Sequence, residues 1–177
     1  PSYNIIPNES FSEMKEVIPS IKNNYKQVMS KETAYQILSM LEGTIQRGTG
    51  KRLKNLNVPL AGKTGTTNNN YDAWFIGAAS NLVIGVYIGF DSPKTLGKYE
   101  TGARTALPIF KNFVRQALYK DEFKSFSPPK EIFFAAINYN TGKKENFSNS
   151  DSIIEAFKLS DIEKMRNNNL DKGTNYD

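Results

Sequence analysis

The residues with the clearest chemical potential are Lys63 to Thr67, in the stretch A-G-K-T-G-T-T. One lysine and three threonines offer a positive charge and several hydroxyl donors, which are groups that bind a carboxylate. On a β-strand, Lys63 and Gly65 share one face and Thr64 and Thr66 the other. Gly65 leaves the strand uncovered, and an edge strand offers unpaired amides to an extended peptide. The residue types therefore predict a docking strand for a peptide carboxylate.

A phosphate-binding loop is an alternative, because Gly62-Lys63-Thr64 matches the end of its pattern. Asn57 stands where the first glycine of that pattern belongs, and Pro59 removes an amide donor from the loop. The lysine should also begin a helix whose N-terminus meets the phosphates, but β-branched threonines and a glycine follow it. The nucleotide-binding interpretation is therefore disfavoured.

Two helices are predicted to support this strand. The first follows Ser30 at an N-cap position, carries an apolar stripe, and ends at the glycines of Gly48 to Gly50. The second follows Thr105 as its cap, with Pro108 in its first turn, where proline is tolerated. Its broad apolar face suits packing on a sheet. Residues 51–54 are interpreted as a basic loop between the first helix and the docking strand.

Strand patterns occupy residues 58–67, 71–79, 82–90 and 132–139. The connections between the first three are too short for parallel crossovers, so these strands are predicted to be antiparallel neighbours. The fold class is therefore α/β of the α+β type, with an antiparallel sheet flanked by helices.

Composition excludes several classes of site. The 177 residues contain no cysteine and no histidine, so this chain has no disulfide, no thiolate zinc site and no Ser-His-Asp triad. The net charge is +5, and the basic cluster of Lys51, Arg52 and Lys54 is interpreted as a solvated loop. The longest apolar run, Leu82 to Phe90, is far short of the ~20 residues of a membrane-spanning helix. We expect no metal, no cofactor and no nucleic-acid partner.

Five segments in order carry a family resemblance: R-G-T-G (47–50), A-G-K-T-G-T-T (61–67), D-A-W-F-I-G (72–77), G-V-Y-I-G-F-D (85–91) and T-G-A-R-T-A-L-P-I-F-K-N-F (101–113). Together they resemble the C-terminal half of the transpeptidase domain of class A penicillin-binding proteins, the bifunctional enzymes of bacterial cell-wall synthesis. The resemblance implies two regions: residues 1–119 in the transpeptidase domain and 120–160 in a C-terminal extension. Residues 161–177 match the family little, and because their end lacks a core-forming pattern they are expected to form a disordered tail.

The resemblance also implies a fragment of the β-lactamase/transpeptidase-like fold and roles for the docking strand. Lys63 would stabilise the substrate carboxylate and the charge network around a serine nucleophile, and the Thr66 amide would be one of two oxyanion donors. Thr64 and Thr66 would bind the carboxylate through their hydroxyls, with Thr66 favoured, while Gly65 and Thr67 would border the substrate. The ligands would be D-Ala-D-Ala stem peptides of peptidoglycan and β-lactams.

Residues near the docking strand are interpreted as structural. Trp74 and Phe75 are predicted to pack in the core rather than to contact substrate. Asp72 and Asp91 are interpreted as turn or strand-end residues rather than an acid/base pair.

The family chemistry also needs a Ser-x-x-Lys and a Ser-x-Asn motif. Letter matches occur at 12–15, 127–130 and 2–4. The matches at 2–4 and 12–15 lie too close to Lys-Thr-Gly for the family, and two prolines exclude a helix at 127–130. We therefore expect the nucleophile in an upstream half outside this chain, which alone should be inactive.

The parent protein is expected outside the cytoplasmic membrane, in the periplasm, with an inner-membrane anchor that is not in this chain. The alternative of a different class is a non-catalytic module that binds wall peptides through the same strand.

Overall fold

The computed structural model describes residues 26–117, 124–146 and 149–162. The elements in order are α1 (Lys31–Gln46), a 3-10 helix (Lys51–Leu56), β1 (Ala61–Thr66), a 3-10 turn (Asn68–Asn70), β2 (Ala73–Ala78), β3 (Val83–Ile88), α2 (Ala106–Ala117), β4 (Ile132–Asn138) and β5 (Ser152–Lys158). The serines of the rejected motifs at 2–4 and 12–15 lie outside the described residues, as does nearly all of the predicted tail. Among the described residues, no helix combines the length and the hydropathy needed to cross a bilayer.

Helix α1 begins where the sequence predicts. The amide of Thr33 donates to the Ser30 hydroxyl oxygen at 3.2 Å, which confirms the N-cap. Helix α2 also begins directly after Thr105, but the Thr105 hydroxyl donates to the Thr101 carbonyl at 2.8 Å. The Leu107 amide instead donates to the Gly102 carbonyl at 2.9 Å. The predicted capping role of Thr105 is therefore wrong, because a preceding turn already satisfies the helix start.

The predicted basic loop is instead the 3-10 helix Lys51–Leu56. Leu53 and Leu56 are three residues apart, which is one turn of a 3-10 helix, and both are buried. Lys51, Arg52 and Lys54 are exposed, as expected for solvated cations. Burial of the two leucines in one core cluster with Ile45 and Phe75 explains why this segment is helical rather than irregular.

Strands β1, β2 and β3 form one antiparallel sheet in that order. Alternation along β2 points Phe75 toward α2, where its ring centroid lies 4.8 Å from that of Phe110. Both phenylalanines are completely buried, together with Leu53 and Leu107. The predicted antiparallel sheet with flanking helices is confirmed, and its core lies between the sheet and α2.

Strands β4 and β5 form a separate two-stranded hairpin. The β4 prediction is confirmed, whereas β5 was not predicted from the sequence. The hairpin contacts α1: the Phe134 ring meets Tyr35 edge-on at 6.2 Å, and the Gln36 side-chain amide donates to the Ala156 carbonyl at 3.1 Å. The Arg47–Glu155 ion pair, 3.2 Å long, is the single salt bridge of the described residues.

Candidate active-site strand

Strand β1 is an edge strand, and the alternation of its hydrogen bonds with β2 decides which of its amides are left unpaired. The Thr67 amide donates to the Asp72 carbonyl of the neighbouring strand end at 3.0 Å. Because ladder bonds alternate in an antiparallel pair, the amides of Lys63 and Gly65 face β2, and those of Thr64 and Thr66 face away from it. Within the described part of the chain, the Thr66 amide has no protein acceptor. An open backbone donor therefore lies on the outer edge of β1.

The turn after β1 holds this strand end in place. Asn69 and Asn70 have φ values of 59° and 54°, a left-handed conformation that asparagine tolerates. The Asn70 side-chain amide donates to the carbonyls of Gly97 and Lys98 at 2.9 and 2.8 Å. The Thr67 hydroxyl oxygen accepts the Asp72 amide at 2.7 Å. Thr67 therefore closes the turn, and its hydroxyl is already engaged there.

The Thr66 hydroxyl is oriented by Gly102. The Gly102 amide donates to the Thr66 hydroxyl oxygen at 3.0 Å, so the hydroxyl proton stays available for another acceptor. A Cβ at position 102 would overlap the carbonyl oxygens of Trp74 and Gly65, so only glycine fits this close approach. Gly102 lies 36 residues from Thr66, and the sequence pattern placed it in a family segment without assigning it a role.

Lys63 and Thr64 interact directly at the same edge. The Lys63 ammonium lies 2.9 Å from the Thr64 carbonyl oxygen and 3.4 Å from its hydroxyl oxygen. Lys63 starts from the opposite face of the strand, so its side chain must bend around the open edge to reach them. The Thr64 hydroxyl also lies 3.1 Å from the hydroxyl of Thr49, in the turn after α1. The structure thus brings a cation and hydroxyls together beside the Thr66 amide.

The face of the sheet opposite the core carries aromatic side chains. Trp74 is 40% exposed and its ring centroid lies 4.6 Å from that of Tyr87. The core prediction is therefore confirmed for Phe75 and wrong for Trp74, because strand alternation sends adjacent residues to opposite faces. Trp74 is the register partner of Gly65, so it borders the docking strand on the Lys63 face.

Tyr87 and Asp72 form a hydrogen-bonded pair at the strand ends. The Tyr87 hydroxyl donates to the Asp72 carboxylate at 2.9 Å. That bond raises the pKa of Tyr87 above its ordinary value, with smaller contributions from burial and from the charges of Asp72 and Asp91. Asp72 therefore has a structural partner at the end of β2, as its interpretation as a strand-end residue predicts.

The phosphate-loop alternative is wrong, because Lys63 to Thr66 are extended and the residues that follow form a turn instead of a long helix. The Ser-x-x-Lys match at 127–130 does not begin a helix. Its residues are irregular up to a turn, closed by the Ile132 amide donating to the Pro129 carbonyl at 3.1 Å.

Comparisons with known proteins found similar sequences and structures. The family described as the penicillin binding protein transpeptidase domain matches residues 13–115. Penicillin-binding protein 1A of Rickettsia felis is 41% identical over 150 residues, which cover 84% of this chain and 18% of that protein. Penicillin-binding protein 1A of Pseudomonas aeruginosa is 39% identical over 137 residues, 77% of this chain and 17% of that protein.

A crystal structure of penicillin-binding protein 1A from Haemophilus influenzae is also similar, with a TM-score of 0.64 and 34% identity. That match covers 73% of this chain and 20% of the crystallised one. The chain thus spans about a fifth of the length of the relatives that it matches.

Proposed function

The chain belongs to the penicillin-binding protein transpeptidase family, and from that premise we propose that it is part of a peptidoglycan D,D-transpeptidase. The parent enzyme would be a serine acyl-transferase that cross-links stem peptides ending in D-Ala-D-Ala and is acylated by β-lactams. Its catalytic domain would act in the periplasm. One observation carries the proposal: the unpaired Thr66 amide lies on an open strand edge beside the Lys63 ammonium.

The first role of β1 in this proposal is to bind the peptide terminus. An extended peptide pairs with an open strand edge through backbone hydrogen bonds. The Thr66 hydroxyl accepts from Gly102, so its own proton can be donated to the substrate carboxylate. The Lys63 ammonium supplies the positive charge, and Thr64 a further hydroxyl at the same edge. Trp74 and Gly65 border this site on the opposite face of the strand.

The second role is to stabilise the tetrahedral intermediate. A serine oxygen attacks the penultimate carbonyl carbon, and the carbonyl oxygen becomes an oxyanion. The Thr66 amide would be one of two donors to that oxyanion, and the loss of one such donor typically costs about 3 kcal/mol of transition-state stabilisation. The C–N bond to the terminal D-Ala then breaks, that residue leaves as an amine, and a neighbouring stem peptide takes the acyl group.

The third part of the proposal is that the nucleophile lies elsewhere. The described residues contain no Ser-x-x-Lys on a helix, and the chain spans about a fifth of the length of its relatives. This chain would therefore supply the binding strand and one oxyanion donor, while an upstream half of the domain supplies the serine, its base and the second donor.

Acylation of the isolated chain tests that division. After incubation with a penicillin, the intact mass of the 177-residue chain should show no added acyl group. Addition of the upstream half should restore acylation, with the label on a serine of that half. A labelled serine within the 177 residues would show that a rejected motif is the nucleophile. Peptide binding with no acylation in either arm would favour the non-catalytic module.

A proline substitution tests the oxyanion donor in the parent enzyme. Because the Thr66 amide faces away from β2, Thr66→Pro removes that N–H without breaking a ladder bond. We expect the acylation rate to fall about a hundred- to a thousandfold. Thr66→Val, which keeps the amide and loses only the hydroxyl, is the matched control and should fall less. Equal losses in the two variants would refute the role of the amide.

A further inference from the structure

We propose that Thr49 is a third hydroxyl of the carboxylate site, an inference that rests on the proposed function. Thr49 is not part of β1; it lies in the turn between α1 and the 3-10 helix, 15 residues before Thr64. Its hydroxyl oxygen is 3.1 Å from that of Thr64, and its side chain is exposed. It therefore reaches the docking strand from a separate element and stays accessible to a ligand.

The neighbouring Lys63 ammonium decides which of the two hydroxyls, Thr64 or Thr49, donates to the other. An ammonium group can only donate, so the Thr64 hydroxyl oxygen accepts from Lys63 at 3.4 Å. A hydroxyl that accepts from a cation is polarised and becomes a better donor through its own proton. The favoured direction of hydrogen-bond donation is thus from Lys63 to Thr64 and from Thr64 to Thr49. In that order Thr64 donates its proton to Thr49 and acts on a ligand through it. The Thr49 proton is the one left over, and a ligand carboxylate is the acceptor that fits it best.

The turn that carries Thr49 is fixed on both sides. The amides of Gly48 and Gly50 each donate to the Thr44 carbonyl at 3.0 Å. The Thr44 hydroxyl in turn donates to the Gly62 carbonyl of β1. Gly50 is buried, and a Cβ at this position would lie 3.1 Å from Ile45 Cγ1, closer than ordinary van der Waals contact. The distance between Thr49 and β1 is therefore set by packing rather than by a free loop.

This arrangement predicts a dependence on the charge of the ligand. A free carboxylate would accept a bond from Thr49, and a methyl ester would accept a much weaker one, because hydrogen bonds to charged groups are about twice as strong as neutral ones. Substitution of a residue that only supports the fold would weaken the binding of the acid and of the ester equally. The comparison of acid and ester thus separates a binding role from a structural one.

The experiment uses the full-length parent enzyme and two reagents, a penicillin with its free carboxylate and the methyl ester of the same penicillin. With Thr49→Val, we expect the second-order acylation rate to fall about tenfold for the acid and to stay within about twofold for the ester. Thr49→Ser keeps a hydroxyl and should restore the rate with the acid. Thr141→Val, at an exposed turn of the hairpin, is the matched control and should change neither rate.

Equal losses with acid and ester, or no loss with either, overturn the role of Thr49. If Thr49→Val does not fold, Thr49→Ala at this exposed position is measured in the same way, with the thermal unfolding midpoint as the check on folding. A wild-type parent that neither reagent acylates would refute the proposed function itself, and that result differs from every outcome specific to Thr49.

Discussion

The two sheets of this chain both contain aromatic residues, but they have very different cores. In the first sheet, Phe75 is completely buried against Phe110 of α2. In the β4–β5 hairpin, the aromatic residues Phe133 and Phe134 are 51% and 43% exposed, and the buried positions are alanines. The difference lies in what covers each sheet: a helix packs across one face of the first, whereas the hairpin touches the described structure mainly along α1.

This difference assigns separate tasks to the two regions. The first sheet buries the β2 residues of its helix-facing side, Ala73 and Phe75, so its outer edge and opposite face can hold exposed functional groups without loss of the core. A two-stranded hairpin is only marginally stable alone, so its order depends on the contacts with Tyr35, Gln36 and Arg47. We therefore expect damage to the first sheet to unfold the chain and damage to the hairpin to stay local.

The largest effect is expected from Phe110→Ala. Removal of a fully buried aromatic ring leaves a cavity and typically costs about 3–5 kcal/mol. Phe113→Ala on the same helix removes a ring that is 45% exposed and should cost less than about 1 kcal/mol. Urea unfolding of the chain measures both free energies. Similar values for the two variants would mean that the core does not lie between α2 and the sheet.

Gly102→Ala should come next. The new Cβ would overlap two carbonyl oxygens of the β1–β2 pair, and such overpacking typically costs about 1–3 kcal/mol. It should also displace the amide that orients Thr66, so acylation of the parent enzyme should slow. Gly85→Ala is the matched control, because nothing lies within 4 Å of its Cβ position. If both alanines behave alike in unfolding and acylation, close approach of Gly102 is not what holds Thr66.

A smaller and local effect is expected from Phe134→Ala. The loss of its edge-on contact with Tyr35 should weaken the hairpin by about 1 kcal/mol. Amide hydrogen exchange should then accelerate in β4 and β5 while β1 to β3 keep their protection. Phe133→Ala, on the other face of the hairpin, should leave exchange nearly unchanged. Faster exchange throughout both sheets would show that the two regions open together, which would contradict the expectation that damage to the hairpin stays local.

The smallest effect is expected from Glu42 in α1, the helix that both regions contact. Burial raises its pKa above the ordinary 4.5. A folded-state pKa above the unfolded value means that stability is full below about pH 4.5 and is lost as the pH rises through the folded pKa. Glu42→Gln should therefore raise the unfolding temperature at pH 7, relative to wild type, and lose this advantage toward pH 4.

Glu32 on the same helix provides a control of opposite sign. Hydrogen bonds from the backbone and from Ser30 lower the pKa of Glu32. Its contribution is therefore present above the ordinary pKa of 4.5 and is lost as the pH falls through the folded value. Glu32→Gln should lower the unfolding temperature at pH 7 and have less effect in acid. The same sign for both variants would contradict these two environments.

Local sequence patterns predicted much of the fold. The Ser30 cap and the apolar stripe located α1, and turn residues between β-branched runs located β1 to β3, because these signals depend on neighbours within a few residues. The same patterns failed where packing decided the outcome. The basic segment is a 3-10 helix because Leu53 and Leu56 are buried. Trp74 lies outside the core because α2 covers the other face of the sheet.

The candidate site divides in the same way. The residue types of Lys63 to Thr67 predicted an extended strand, and β1 confirms its conformation. The roles of these residues in catalysis and substrate binding stay predictions that the experiments above test. Thr49 and Gly102 could not be assigned from spacing, since each contacts β1 from a distant part of the chain.

The sequence by itself determined the family and the positions of α1, α2 and the first four strands, because ordered motifs and local periodicity are written in the order of residues. Only the tertiary structure decided which strand edge is open, which hydroxyls meet Lys63, and which aromatic rings are buried. The reason is physical: these properties belong to pairs of residues that packing brings together, and no local pattern encodes the distance between them.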